Sequence, residues 1–330
     1  MEKVSIIIPV YNAENNIERA IESLLSQEYT NIEIIIIDDN STDNTFFICK
    51  KYLYQNKNKI KLLKNDFNMG VSFSRNIGID NATGKYLMFL DSDDKYKENC
   101  ISTMVENIEK NFEWIICSYE RISKSNIKVM QTNTIEIKNK DNIEDTIELM
   151  FTNNLFCQIW NKIYLTNIVK KNNIRFDEKI SLGEDFKFNI EYLKFVNNLK
   201  ILKNVLYIYT NSVSGLNLKY NSNRLKIKLD NVTSLIKFYE REKYDTTFLY
   251  KLYVRTTFSG LKEVKKYKDI KQYLKIINKF NEKQFNFHIL QMREKILVYL
   301  LKGENKIILY LFSKILKVMD YLYKKIKLGY

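Results

Sequence analysis

One proline and one histidine stand among 330 residues, glycine occurs eight times, and the four cysteines are scattered. Each scarcity excludes something. A single histidine excludes imidazole-rich metal sites, and His288, alone in a basic helical stretch, reads as structural or exposed, so general-base work falls to a carboxylate. Cys49, Cys100, Cys117 and Cys157 form no CxxC pair, which argues against structural zinc and a disulfide framework and fits a reducing cytoplasm. No Gly-rich dinucleotide fingerprint follows the first apolar run and no Walker A sequence occurs, so NAD-type and P-loop readings fall away. The longest apolar runs, such as Ile296-Leu297-Val298-Tyr299-Leu300-Leu301, are too short to span a bilayer. Met1-Glu2-Lys3 leads into a strand with no signal-peptide pattern, and no internal repeat is found.

What is present is a packed globular composition: 45% apolar, with 23 Tyr and 19 Phe. Charge divides the chain. Residues 1–215 carry 27 Lys+Arg against 29 Asp+Glu, whereas residues 216–330 carry 26 against 10. A nearly neutral front and a back of net charge +16 predict two regions with different tasks.

In residues 4–117 short apolar runs alternate with amphipathic stretches. Strands are predicted at Val4–Ile8, Ile32–Ile37, Ile60–Leu63, Tyr86–Leu90 and Trp114–Cys117, and helices at Ile17–Leu25, Gly70–Ala82 and Ile101–Ile108. Continuous apolar strands between helices indicate a mainly parallel sheet covered on both faces. The middle region reads as a helix at Asn139–Phe151, an extended run at Gln158–Thr166, a helix at Glu184–Phe195 and a strand at Ile201–Tyr209; beyond Gly215 the pattern is helical.

Three strands end in polar clusters: Pro9-Val10-Tyr11-Asn12, Asp38-Asp39-Asn40 and Asp91-Ser92-Asp93-Asp94. Parallel strands would bring these ends to one crevice. Tyr11 can offer a ring to a base, and Asp39 can accept from a ring N–H such as uracil's. Asp91 and Asp93 can share a divalent cation, whereas helix capping, with a helix beginning near Tyr96, accounts for Asp94 and for part of the Asp38–Asp43 cluster. Asn68-Met69-Gly70 leads into a helix carrying Arg75 and Asn76, where the Arg fork suits a diphosphate and an ordinary surface ion pair is the plain alternative. Gly183-Glu184-Asp185 opens a later helix with two acids, either a first-turn dipole pair or the seat of a base.

Taken together these residues resemble the family 2 glycosyltransferases, inverting enzymes of the GT-A fold, over about residues 1–210. Val4–Asn12 resembles the family's opening, Asp38–Asp43 its nucleotide-binding loop, Gly70–Gly78 the next helix, Asp91-Ser92-Asp93 its D-x-D motif and Gly183-Glu184-Asp185 its late E-D motif. Trp160-Asn161-Lys162-Ile163-Tyr164 resembles a segment of bacterial members that build surface polysaccharides. The resemblance implies a UDP-sugar donor held by Pro9, Tyr11, Asn12, Asp38, Asp39, Asn68, Gly70, Arg75, Asn76, Asp91 and Ser92. It implies Mn²⁺ or Mg²⁺ on Asp93 and Asp91, Asp185 as general base with Glu184 in support, and Trp160 and Lys162 on the acceptor side. The acceptor would be a lipid-linked oligosaccharide or polysaccharide in cell-surface glycan synthesis.

The expected arrangement is thus an α/β GT-A catalytic domain over 1–215 and a mostly α-helical basic region over 216–330. In the tail, Ile307, Ile308, Leu311, Ile315, Val318, Leu322 and Ile326 recur at helical spacing with Lys306, Lys314, Lys317, Lys324 and Lys325 mainly on other faces. That pattern suits docking on the anionic inner face of the cytoplasmic membrane, or packing on the core or a partner. No nucleic-acid motif occurs. The rival readings are a sugar-phosphate nucleotidyltransferase, a hydrolase using Asp185, and a non-catalytic basic membrane-binding protein.

Overall fold

A computed structural model describes residues 1–123, 126–180, 182–210, 224–263, 295–296, 299 and 306–316. His288, Val318, Leu322, Ile326, Lys317, Lys324 and Lys325 lie outside the described residues. Contacts divide the chain into two compact units, Met1–Lys219 and Tyr220–Tyr330.

In the first unit, apolar runs without charge become central strands. β1 (Val4–Val10) is buried along its whole length, and β2 (Ile32–Asp38) nearly so. Between them α1 (Ile17–Leu25) buries Ile17, Ala20, Ile21 and Leu24, one helical stripe. α2 (Thr45–Gln55), β3 (Ile60–Lys64), α3 (Val71–Asn81) and β4 (Tyr86–Phe89) complete a parallel half-sheet of order β3-β2-β1-β4. α3 lies close on β1 because Gly78 has no side chain. A Cβ there would stand 2.4 Å from Ile7 Cγ2.

The second half of the sheet departs from the parallel expectation. After β5 (Lys95–Tyr96), α4 (Cys100–Ile108), β6 (Trp114–Ser123), β7 (Asn126–Met130), β8 (Ile135–Ile137) and α5 (Ile143–Thr152) comes β9 (Lys162–Leu165). β9 runs antiparallel between β4 and β6. α6 (Thr166–Lys171), α7 (Glu184–Leu193) and β10 (Leu199–Thr210) follow, and β10 lies parallel to β6. Apolar periodicity carries no information on strand direction, so the reversal at β9 was invisible in it. Lys95–Tyr96 pairs with Tyr207 and Ile208, and the next helix begins only at Cys100, so Asp94 caps no helix.

The core beneath α7 is aromatic. Phe89 meets Tyr164, Phe176 and Phe188 edge-to-face at ring-centroid distances of 5.9, 5.4 and 5.8 Å, and Phe188 stacks on Phe176 at 4.3 Å. Phe188 and Tyr192 come from α7, and each such buried ring is worth about 1.5–3 kcal/mol. This layer anchors the helix whose first turn holds Glu184 and Asp185.

In the second unit α8 (Arg224–Glu242) packs on α9 (Thr247–Glu263), and Gly260 takes Leu225 where a Cβ would stand 2.5 Å from its Cδ1. Residues 306–316 are helical, with Phe312 edge-on to Phe258 at 6.4 Å. Leu309, Ser313 and Leu316 form the buried face, whereas Ile307, Ile308, Leu311 and Ile315 are exposed. The described residues of the apolar stripe singled out in sequence thus lie on the outer face, and the packing face is a different one.

Candidate active site

The carboxyl ends of β1, β2 and β4 share one edge, and the polar clusters meet there. The Asp39 amide donates to Val10 O (2.8 Å) and the Leu90 amide to Ile7 O (3.0 Å), which ties all three ends together. Asn12, at φ 49°, accepts from the Thr42 amide (2.9 Å) and gives its own amide to Ser41 Oγ (3.1 Å). Tyr11 stands half-exposed on this edge, while Pro9 is buried in β1.

Asp39 is buried and largely committed. Its Oδ1 accepts from Asn65 Nδ2 (2.7 Å) and the Met69 amide (2.9 Å), and its Oδ2 from the Gly70 amide (2.8 Å). A carboxylate has about four acceptor positions, so three of them shape the 65–70 loop and about one stays available. Gly70 has φ 90°, which only glycine adopts without strain. Asn68 is exposed in the same loop. Asp38 is fully buried, accepts from the Ser41 amide (3.2 Å), and has no protein partner for Oδ1.

Across the edge, Arg75 of α3 is the hub. Its Nη2 donates to Asp91 Oδ1 at 2.9 Å and its Nη1 to Asp185 Oδ1 at 2.8 Å, with Glu184 Oε1 at 3.5 Å from Nη1. The guanidinium is nearly buried and lies 5.3 Å from the Phe176 ring centroid. Burial lifts the Asp185 carboxyl to about 8. Arg75 and Lys162 pull it back down, and the charges of Glu184 and Asp91 push it further up. About a fifth of the Asp185 side chain (21%) stays open, enough for a hydroxyl to reach it and for solvent to moderate that upward push.

Asp91, Ser92 and Asp93 are half-buried in the loop after β4, and Asp94 turns away from them. Asp94 accepts from the Tyr207 hydroxyl (2.6 Å) and the Thr210 amide (2.7 Å). Burial, then the charges of Asp91 and Asp93, push its carboxyl up against these two bonds. Arg19 of α1 donates to the Asp93 carbonyl, so α1 and the end of β10 both hold this loop. Neither Arg19 nor Tyr207 could be picked out in sequence, because each sits in an ordinary amphipathic or strand pattern.

Three expected site residues sit behind the surface. Asn76 donates to Phe176 O (3.0 Å) and Glu178 Oε1 (2.9 Å) and accepts from the Phe176 amide (2.9 Å), which braces the 174–178 segment. Trp160 is buried and stacked on Tyr207 at 4.1 Å and on Tyr209 at 5.6 Å. Lys162 is fully buried. Its Nζ donates to Leu155 O (2.7 Å), Asn161 Oδ1 (2.7 Å) and Gln158 O. Burial pushes this ammonium down to about 7, yet three acceptors surround it and a neutral amine has only two N–H donors, so the charged form is retained. Asn189, one turn beyond Asp185 on α7, donates to Phe156 O (2.7 Å) and Gln158 O (2.9 Å) and accepts from Tyr164 (2.7 Å). Lys162 thus belongs to a polar knot that fastens the 155–158 loop to α7.

The donor set for a metal is modest. Asp91 and Asp93 are two half-buried carboxylates, and among the described residues no cluster of three or more His, Cys, Asp or Glu could hold an ion by itself. Two carboxylates fit Mg²⁺ or Mn²⁺, which fill their remaining positions with water and substrate phosphate oxygens. They do not fit a protein-only cage.

The chain is similar to known proteins in sequence and in fold. Residues 5–172 match the model of the family described as Glycosyl transferase family 2. The chain is 29% identical to "Uncharacterized glycosyltransferase EpsJ" of Bacillus subtilis, over 64% of this chain and 62% of that protein. It is 39% identical to "UDP-Glc:alpha-D-GlcNAc-diphosphoundecaprenol beta-1,3-glucosyltransferase WfgD" of Escherichia coli, over 38% of this chain and 48% of that protein. The match therefore spans about half to three-fifths of these relatives' lengths. In fold, the chain is similar to the crystal structure of S. aureus TarS 1-349 in complex with UDP-GlcNAc. The TM-score is 0.72 at 20% identity, over 93% of this chain and 89% of that one. A GT-A sheet that gathers its carboxylates on one edge and a family match over half the chain lead to one conclusion: this protein belongs to glycosyltransferase family 2.

Proposed function

We propose that the enzyme moves a sugar from a UDP-sugar, with inversion at the anomeric carbon, to a hydroxyl of a lipid-linked oligosaccharide or polysaccharide acceptor. The observation that carries this reading is Arg75, which joins Asp91 on the donor side to Asp185 on the opposite side of one crevice. Asp185 takes the proton of the acceptor hydroxyl as its oxygen attacks the anomeric carbon. The bond from that carbon to the diphosphate oxygen breaks on the far face, and UDP departs. One base suffices, since direct displacement needs no enzyme nucleophile. The raised carboxyl of Asp185 suits the task, because a base works best near the operating pH. Arg75 offsets part of that rise, favouring the ionised form, and fixes the carboxylate beside Asp91.

Asp91 and Asp93 would hold Mn²⁺ or Mg²⁺, whose charge offsets that of the leaving diphosphate. The uracil reading rests on Asp39, with about one acceptor position left, and on half-exposed Tyr11 beside it. Support for UDP comes from TarS, whose structure contains UDP-GlcNAc, and for a lipid-linked acceptor from the name of WfgD. No helix among the described residues is long and apolar enough to cross a membrane. An enzyme at the inner face of the cytoplasmic membrane would then have to hold on peripherally.

A thermal-shift series with UDP, GDP, CDP and TDP, each with and without Mn²⁺, tests the donor reading. The expected result is a metal-dependent shift largest for UDP and lost in Asp93→Ala. Equal shifts for every nucleotide regardless of metal would sink it.

A further inference from the structure

The outward stripe of α2 is a surface that glycosyl transfer does not use. Thr45, Cys49 and Tyr52 face the core, while Phe47, Lys50, Lys51 and Tyr54 face out at positions i, i+3, i+4 and i+7. Phe47 is 67% exposed and Tyr54 61%, and Phe67, in the loop that Asp39 fastens, is 73% exposed. Ammonium groups lie over Tyr54 and over Phe46, the neighbour of Phe47. Lys64 Nζ lies 4.7 Å from the Phe46 centroid, and Lys50 and Lys57 each lie 5.9 Å from that of Tyr54.

Charge is concentrated here. Residues 44–65 hold six lysines and no acid, with Asp43 and exposed Asp66 at their borders and Glu18 of α1 3.7 Å from Lys51, whereas in the rest of residues 1–215 acids outnumber bases 29 to 21. A plain account covers part of this. β3 is an edge strand, and lysines on an edge discourage pairing with another chain. That account leaves three large rings in water unexplained. Aromatic rings among lysines on one helix face are the composition of a surface that lies in the headgroup layer of an anionic bilayer. A second copy of the chain docking through this face would set lysine against lysine.

We infer that the outward face of α2, with the adjoining β3 end and the Phe67 loop, docks the catalytic unit on an anionic membrane surface. The inference rests on the peripheral-membrane reading above and names the surface responsible. It adds a contact in the catalytic unit to the one expected of the basic tail. α2 begins within a turn of the donor-side loop, where Thr45 Oγ1 accepts from the Ala13 amide at 2.7 Å. Docking there holds the mouth of the site near the layer that contains a lipid-linked acceptor.

The test is sedimentation of the full chain with vesicles of phosphatidylcholine alone or mixed with phosphatidylglycerol, at roughly 0.1 M and at roughly 0.5 M salt, where the screening length falls from ~10 Å to ~4 Å. Binding is expected only with phosphatidylglycerol and is expected to fall with salt. Lys50→Glu combined with Lys51→Glu should reduce partitioning at least about 25-fold at low salt, about fivefold for each lysine lost. Phe47→Ser combined with Tyr54→Ser should weaken the salt-resistant part. All variants should keep the wild-type melting temperature and UDP binding. In Phe47→Trp, emission should be quenched by brominated lipids. Failure of the wild-type chain to sediment with either vesicle would overturn the membrane reading as a whole. Undiminished binding by both double variants would overturn this face alone and leave the membrane reading to another surface. With binding to a fluorescent single-stranded RNA measured in parallel, double variants that lose RNA binding and retain vesicle binding would assign the face to a different polyanion and overturn the proposal.

Discussion

Arg75 stands between two carboxylates, 2.9 Å from Asp91 and 2.8 Å from Asp185, which lie 16 and 110 residues away in sequence. A planar fork of two donors holds both acids in one fixed geometry, which a flexible ammonium does not impose. Three acids lie within 4 Å of this nearly buried cation, so its removal leaves a cluster of like charges behind.

Arg75→Met should therefore destabilise the catalytic unit by about 3–5 kcal/mol, the cost of breaking a buried pair from one side. Arg75→Lys keeps the charge without the fork and should recover part of that stability and little of the activity. Chemical denaturation together with a transfer assay separates the two effects.

The pH dependence follows from Asp185. Its carboxyl is raised to about 8, and the proposed base acts only when ionised, so kcat/KM should climb with pH and level off above that value. Because Arg75 lowers this carboxyl, the rising limb should move to higher pH in any Arg75→Met protein that stays folded. The sign for stability is opposite. A carboxyl raised by folding is harder to ionise in the native state, so its contribution weakens from about pH 4 upward through pH 8. Asp185→Asn should abolish transfer and remove this limb while leaving nucleotide binding measurable by calorimetry.

Lys162 offers a test of support as opposed to contact. Lys162→Met should leave Leu155 O, Gln158 O and Asn161 Oδ1 without their shared donor and cost about 2–4 kcal/mol. Nucleotide affinity should change little, since none of those acceptors belongs to the donor loop. A stable variant that loses only acceptor binding would place Lys162 in contact with the acceptor after all.

Tyr207→Phe removes the hydroxyl that donates to Asp94 and keeps the ring stacked on Trp160. The expected loss is about 1–3 kcal/mol from an under-satisfied buried carboxylate. Binding of Mn²⁺ with UDP should weaken too, because Asp94 belongs to the loop that carries Asp91 and Asp93.

Gly78→Ala checks the close seating of α3 on β1. The added methyl would meet Ile7 Cγ2 at 2.4 Å, and Ile7 is fully buried, so about 1–3 kcal/mol should be lost. A lower melting temperature with retained nucleotide binding is the expected result.

The sequence by itself determined the local elements and the edge where they end. Val4–Val10 and Ile32–Asp38 have nowhere to put continuous apolar runs except between two covered faces, and parallel strands must bring Asn12, Asp39 and Asp91 to one side. Short motifs in that order were enough to suggest the family and to single out Arg75 and Asp185 separately. Tertiary structure decided which group meets which. It turned Arg75 onto two acids, aimed Asn76 at the 174–178 backbone, committed most of Asp39 to its own loop and buried Lys162 under α7. It also reversed β9 and gave Asp94 to Tyr207 and Thr210 instead of to a helix. The physical reason is one of range. Apolar periodicity and turn chemistry act over a few residues, whereas the partners of Arg75, Asn76, Asp39 and Asp94 lie 16 to 116 residues away and are set only by how the layers pack.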